Sequence, residues 1–173
     1  GVAEWMQAKA TSELDAAAAA VTFFGSSSCI LTLMTLMSGW WWRQRQRRTV
    51  AVLWVALVVG LMVQAFLRVT IGQLRPDANF FAVPSDLVAR LHAMGFTSGH
   101  AFRSAFLYGW WVPALLHRGM ASGVLGAAGL VVLIGLVGVT RIYLHRHWMT
   151  DVLGGWLVAL IALSVAFRWR STR

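Results

Sequence analysis

GVLGAAGLVVLIGLVGV, residues 123–139, and TRIYLHRHWMTD, residues 140–151, together decide how this chain folds. The first stretch holds no ionisable side chain. The second gathers Arg141, His145, Arg146, His147 and Asp151. A helix needs about twenty apolar residues to cross the hydrocarbon core of a bilayer. Residues 120–140 meet that length, and the charges collect at one end of them. The sequence therefore predicts a membrane-spanning helix that delivers a polar cluster to one membrane face.

Working outward, the same pattern recurs over about 24–42, 49–69, 97–116 and 150–167, which makes five predicted spans. Of the 173 residues, 58% are hydrophobic and only 12% charged, with a mean hydropathy of +0.66. A soluble domain averages about 25% charged residues. A membrane barrel would instead alternate apolar and polar residues in segments of about ten. The expected fold is all-α: a polytopic transmembrane helical bundle forming one domain over residues 1–173. The Ala-rich residues 1–23, with Val2, Trp5 and Met6 on one face, predict a short helix lying on the membrane surface. Trp40–Trp42 and Trp148 sit where an aromatic belt is expected. The single Cys29 lies in an apolar run and is read as a packing residue.

The net charge of +9 raises the question of nucleic acid, but its distribution answers to a membrane instead. The 42–49 loop, the 117–119 loop and the tail carry eight arginines and no acid. The opposite side carries all six acids. The positive-inside rule places the RQRQRR loop and the C-terminus in the cytoplasm, and the N-terminus outside. An outside start, with Gly1 first, predicts that a sixth span precedes these five in the full-length protein. The expected location is a plasma (inner) membrane, with the polar cluster on the extracytoplasmic, periplasmic side.

Three polar clusters fall on that outer side. The first is Arg68-x6-Arg75-Pro76, the second Thr97-Ser98-Gly99-His100, the third Arg141-x5-His147-x3-Asp151. Arg68 and Arg75 would share a helix face two turns apart if the helix reached that far, although Pro76 disfavours helix at Arg75. Guanidiniums at a membrane surface need a pair or an anion. A phosphate suits their bidentate geometry, and lipid head groups reached by snorkelling suit it too. Thr97 or Ser98 would cap a helix whose free amides bind anions, with Gly99 admitting close approach. His147 and Asp151, four apart, would pair so that the acid fixes one imidazole tautomer, or simply cap the span. Taken together, the groups suit phosphoryl transfer. His147 attacks phosphorus, and His100 gives a proton to the leaving oxygen and later takes one from water. Arginines and amides hold the phosphoryl oxygens.

These three motifs, in this order and spacing, resemble the type 2 phosphatidic acid phosphatase family. Its members are lipid phosphate phosphatases that share an active site with vanadium haloperoxidases. The resemblance runs from about Leu14-Asp15 to the end of the fifth span. The family pattern is K-x6-R-P, P-S-G-H and S-R-x5-H-x3-D. Here Arg68 replaces the Lys, Thr97 the Pro, and Thr140 the Ser. The resemblance implies that His147 is the nucleophile, Asp151 its orienting partner and His100 the acid/base. It assigns Arg68, Arg75, Arg141, Ser98 and the Gly99 amide to phosphate. It implies no metal and no cofactor.

Around the motifs, Arg103 is expected to snorkel outward or to touch a second phosphate or sugar. Tyr143, His145 and Arg146 anchor at the interface or border the pocket. Arg90 and His92 could contact a head group. Gln64, one turn before Arg68, could bond it. Gly135, Gly138, Gly154 and Gly155 are expected to permit close helix packing. The predicted function is an integral membrane lipid phosphatase acting on a lipid phosphate or diphosphate in the bilayer. Candidate substrates are an isoprenyl diphosphate, phosphatidylglycerophosphate, phosphatidic acid or a phosphorylated lipid A. A lipid-to-lipid phosphotransferase would carry the same motifs. An anion or lipid transporter would need ionisable groups through the bilayer depth, and the 24–42 and 120–140 spans have none.

Overall fold

A computed structural model describes residue 5 and residues 10–76, 86, 93–117 and 119–171. Its described residues form six helices. They are α1 (Ser12–Phe23), α2 (Ser27–Arg43), α3 (Arg47–Ile71), α4 (Gly99–Leu116), α5 (Ala121–Tyr143) and α6 (Met149–Ser171). Ser12–Arg43 taken through α1 and α2, Arg47–Ile71, Ala121–Tyr143 and Met149–Ser171 are long and apolar enough to cross a membrane. The outward faces of these helices are apolar: Leu36, Met62, Phe66 and Leu125 are all exposed. An aqueous solvent would penalise such a surface, and lipid does not.

α4 does not reach the same apolarity because it occupies the interior. It packs against α2, α5 and α6, and Ala101, Phe102, Ser104–Tyr108 and Trp110 are buried. Small residues on its neighbours make room. A Cβ on Gly60 of α3 would lie 2.4 Å from the Phe102 ring. A Cβ on Gly155 of α6 would lie 2.7 Å from the Ser98 carbonyl oxygen. Gly138 and Gly154 likewise accept the Trp156 and Phe96 rings, whereas Gly135 faces open space and does not serve close packing. Phe102 stacks on Phe106, and Trp41 of α2 stacks on Trp111.

At the N-terminal end, residues 1–4 and 6–9 of the expected surface helix lie outside the described residues. α1 begins at Ser12, capped by Thr11, and lies against α5. The helical candidates in the 70–96 loop, with Arg90 and His92, also lie outside the described residues, as does Arg118.

Candidate active site

The site is assembled where α3 ends, α4 begins, and α5 passes into α6. α3 stops at Ile71 because Gly72 adopts a left-handed conformation, φ 64°, and its amide donates back to the Arg68 carbonyl. The helix thus ends before Arg75, in keeping with the helix-disfavouring Pro76, and the two arginines do not share a helix face. Arg75 instead lies in an extended segment whose amide donates to Ala93 O at 3.0 Å, beside a Leu74–Met94 bridge. The turn still brings the two guanidiniums within electrostatic reach of one another.

Ser98 caps α4, its hydroxyl accepting from the Ala101 amide. The Ser98 amide donates to the Asp151 carbonyl at 2.9 Å, which docks the start of α4 on the start of α6. Free amides follow in the first turn of α4, with Gly99 and His100, a chemistry suited to an anion. Thr97 and Ser98 are fully buried. Gln64 meets Thr97 rather than Arg68: its Nε2 donates to Thr97 Oγ1 and also lies 3.5 Å from Ser98 O. Arg68 Nη2 donates to the Thr97 carbonyl at 3.3 Å.

α5 ends at Tyr143, and the chain reverses through Leu144–Trp148. The Arg141 carbonyl accepts from the amides of both Arg146 and His147, and His145 takes a left-handed φ of 55°. This fold-back buries His147, 2% exposed, before α6 begins. Asp151, fully buried, accepts at Oδ2 from His147 Nδ1 at 3.2 Å and from the Trp148 amide at 3.0 Å. One carboxylate oxygen therefore bonds both the imidazole and the amide that precedes α6. Nδ1 carries the proton toward an acceptor-only carboxylate, which leaves Nε2 its lone pair.

Burial pulls the His147 imidazole below the ordinary histidine range, Arg75 and Arg141 act the same way, and the bond to Asp151 opposes them. The neutral, nucleophilic form is thereby favoured. The same two arginines interact electrostatically with His100, which also feels His147. Arg103 acts on His100 as well. Arg141 Nη1 additionally donates to Thr22 Oγ1 at 3.2 Å, which fastens α5 to α1.

Arg103 does not snorkel outward. It is half-buried, donates through Nε to Gly25 O at 3.3 Å, and its Nη2 lies 3.5 Å from His100 Nδ1. Tyr143 donates to Asp15 Oδ1 at 2.8 Å, tying α5 to α1 at the edge of the site. Arg146 is exposed. Among the described residues, Arg68 Nε, Arg75 Nε and Asp151 Oδ1 are buried without a hydrogen-bond partner. Two half-buried guanidiniums with unused donors suit an anion.

The fold is shared with solved structures of low sequence identity. One is a transmembrane PAP2-type phosphatidylglycerolphosphate phosphatase from Bacillus subtilis, with a TM-score of 0.80 and 22% identity over 99% of this chain and 85% of that one. Another is LpxE from Aquifex aeolicus, with a TM-score of 0.68 and 18% identity over 96% of this chain and 93% of that one. No curated protein matches the sequence significantly. The profile of the PAP2 superfamily does match, over residues 49–173, a span that contains every residue of the three motifs. The chain belongs to the PAP2 superfamily.

Proposed function

We propose that this protein is an integral membrane lipid phosphatase that hydrolyses a lipid phosphomonoester or diphosphate through a phosphohistidine. The observation that carries the reading is the junction that gathers unpartnered cationic donors beside His147. Arg68 bonds the Thr97 carbonyl, the Ser98 amide docks on the Asp151 carbonyl and Asp151 holds His147, while Arg68 Nε and Arg75 Nε are buried without a partner among the described residues, which suits one bound phosphoryl group there. Arg68, Arg75, Arg141, Ser98 and the Gly99 amide hold its oxygens, and these donors stabilise the charge that spreads over them in the transition state. His147 Nε2 forms a bond to phosphorus as the bond to the leaving oxygen breaks. His100 gives that oxygen its proton. Water then attacks phosphorus, His100 takes the water's proton, and the P–N bond breaks to release inorganic phosphate. Asp151 stabilises the imidazolium character that His147 gains.

The site lies at the ends of apolar helices, which suits a substrate with its tails in lipid and its head among arginines. The asymmetry of the basic loops supports an extracytoplasmic site in a plasma (inner) membrane, with the C-terminus in the cytoplasm. Tyr143 and Arg103 border the site and are positioned to meet the head group. A panel of lipid phosphates and diphosphates in detergent tests the reading, with His147→Ala as control. Phosphate release by the parent and not by the variant is expected. Release that survives in the variant would remove His147 from its role. Chelator is expected to leave the rate unchanged, because the residues assigned to phosphate are cationic or amide donors. Loss of activity in EDTA, restored by a divalent cation, would overturn the metal-independent mechanism.

A further inference from the structure

Two departures from the family pattern, Arg68 for Lys and Thr97 for Pro, turn out to be neighbours joined by a third residue. Gln64 is buried, 4% exposed, one turn before Arg68 on α3. Its amide nitrogen donates to the Thr97 hydroxyl, a group that the proline of P-S-G-H would not possess. It also lies within reach of the Ser98 carbonyl, the last backbone group before the anion-binding turn. Arg68 Nη2 donates to the Thr97 carbonyl, while its buried Nε has no partner among the described residues. A lysine has one point-like ammonium. An arginine has a planar fork that can hold a backbone carbonyl and still present other N–H groups to an oxyanion.

We infer that Gln64 is a positioning residue for the phosphate site, acting through Thr97 to set both the direction of Arg68 and the start of α4. This rests on the proposed phosphatase reading only for its kinetic consequence. The geometric content is that oxyanion affinity depends on a buried amide that cannot itself touch the anion. The arrangement is also economical in polar groups. Gln64 and Thr97 are both buried, and each hydrogen-bonds the other. Removing Gln64 leaves the buried Thr97 hydroxyl without this donor, and removing the hydroxyl leaves Gln64 only its long contact to the Ser98 carbonyl; either change frees the Thr97 segment to shift.

The test uses four variants of the full chain in detergent: Gln64→Leu, Thr97→Val, the double variant, and Thr97→Ser. Two quantities are read, vanadate binding followed by thermal stabilisation and kcat/KM for phosphate release. Gln64→Leu and Thr97→Val are each expected to weaken vanadate about tenfold, with kcat/KM falling by a similar factor. The double variant is expected to be no weaker than the worse single one, because both remove the same bond. Thr97→Ser keeps the hydroxyl and is expected to stay within about threefold of the parent. Lower Tm with unchanged vanadate affinity in the singles would make the pair merely structural and overturn the inference. Additive losses in the double variant would overturn it too. If the parent releases no phosphate yet binds vanadate in a Gln64-dependent way, the phosphatase reading falls and the positioning role stands. If the parent neither releases phosphate nor binds vanadate, both fall.

Discussion

Both ends of this bundle are rich in arginine, and the two sets behave differently. Arg43, Arg45, Arg47, Arg48, Arg168 and Arg170 at one end are all exposed. Their contacts are those of a solvated rim, such as Arg47 over the Trp42 ring at 4.9 Å and Arg48 Nη2 on the Trp169 carbonyl at 2.7 Å. Arg68, Arg75, Arg103 and Arg141 at the other end are half-buried, and Arg75, Arg103 and Arg141 interact electrostatically with His100. Desolvating a guanidinium is costly unless an anion or a set of acceptors compensates it. The exposed set needs no partner beyond water and head groups. The half-buried set has one carboxylate, Asp151, among the residues of the three motifs, and that carboxylate is already engaged by His147 and Trp148. Arginine content alone does not distinguish the two ends, whereas burial does.

The sharpest way to break this contrast is to remove one residue from each end. His147→Ala is expected to lower phosphate release by about 10³-fold or more, since it deletes the attacking atom. Arg47→Ala is expected to change the rate by less than about twofold, because an exposed side chain far from the site contributes little. Comparable losses in both would mean that the exposed arginines also serve turnover.

The next effect is large and has a definite sign with pH. Asp151→Asn keeps an oxygen for the Trp148 amide but removes the charge facing His147. It is expected to lower kcat by about 10²–10⁴-fold. In the parent, burial, Arg75 and Arg141 hold His147 below the ordinary histidine value, so the neutral form persists into mild acid. The acid limb of kcat/KM is therefore expected below about 6.5. Asp151 is the influence that raises the His147 pKa, so its loss should move that limb further toward acid. A limb that moves toward neutral pH instead would show that another group controls it.

How much of this contrast is legible in the sequence follows from what each signal depends on. The three motifs stand out because ionisable residues are conspicuous in a chain that is otherwise apolar. Their placement on one side follows from counting spans and loop charges. What sequence could not show was direction. For Arg103 the sequence leaves open an outward snorkel or contact with a second phosphate or sugar. It turns inward because α4 is enclosed by α2, α5 and α6, a fact that periodicity cannot reveal for a helix buried on all faces. Gln64 was matched to Arg68 by helical spacing, yet tertiary packing brings the Thr97 hydroxyl closer. Pro76 marks the turn before Arg75 in the sequence, and the left-handed Gly72 sets where the helix actually ends.

A smaller effect separates glycines at the site from glycines elsewhere. Gly155→Ala would push a methyl against the Ser98 oxygen and the Phe102 amide, backbone atoms that cannot move without shifting α4. A loss of about 1–3 kcal/mol is expected, read as a lower Tm in detergent. Gly39 of α2 has nothing within 4 Å of its added Cβ. Gly39→Ala should be neutral or gain up to about 1 kcal/mol from helix propensity. Equal Tm values for the two variants would contradict the close seating of α4 on α6.

The smallest effect carries the comparison down to single dihedral angles. Among the described residues, each end of the bundle has one non-glycine residue in the left-handed region, Arg45 at φ 58° and His145 at φ 55°. That conformation costs an ordinary residue about 1–2 kcal/mol, part of which glycine loses again to its freer unfolded chain. Arg45→Gly is therefore expected to raise stability by no more than about 1 kcal/mol. His145→Gly should gain more, because it also removes a buried Nδ1 that has no hydrogen-bond partner among the described residues. Tm and kcat/KM measured together separate two meanings of this strain. If His145 serves only to reverse the chain, its glycine variant will be more stable and will turn over within about threefold of the parent. A tenfold loss confined to His145→Gly would mean that the strained imidazole takes part in holding the head group, as strained residues at active sites often do.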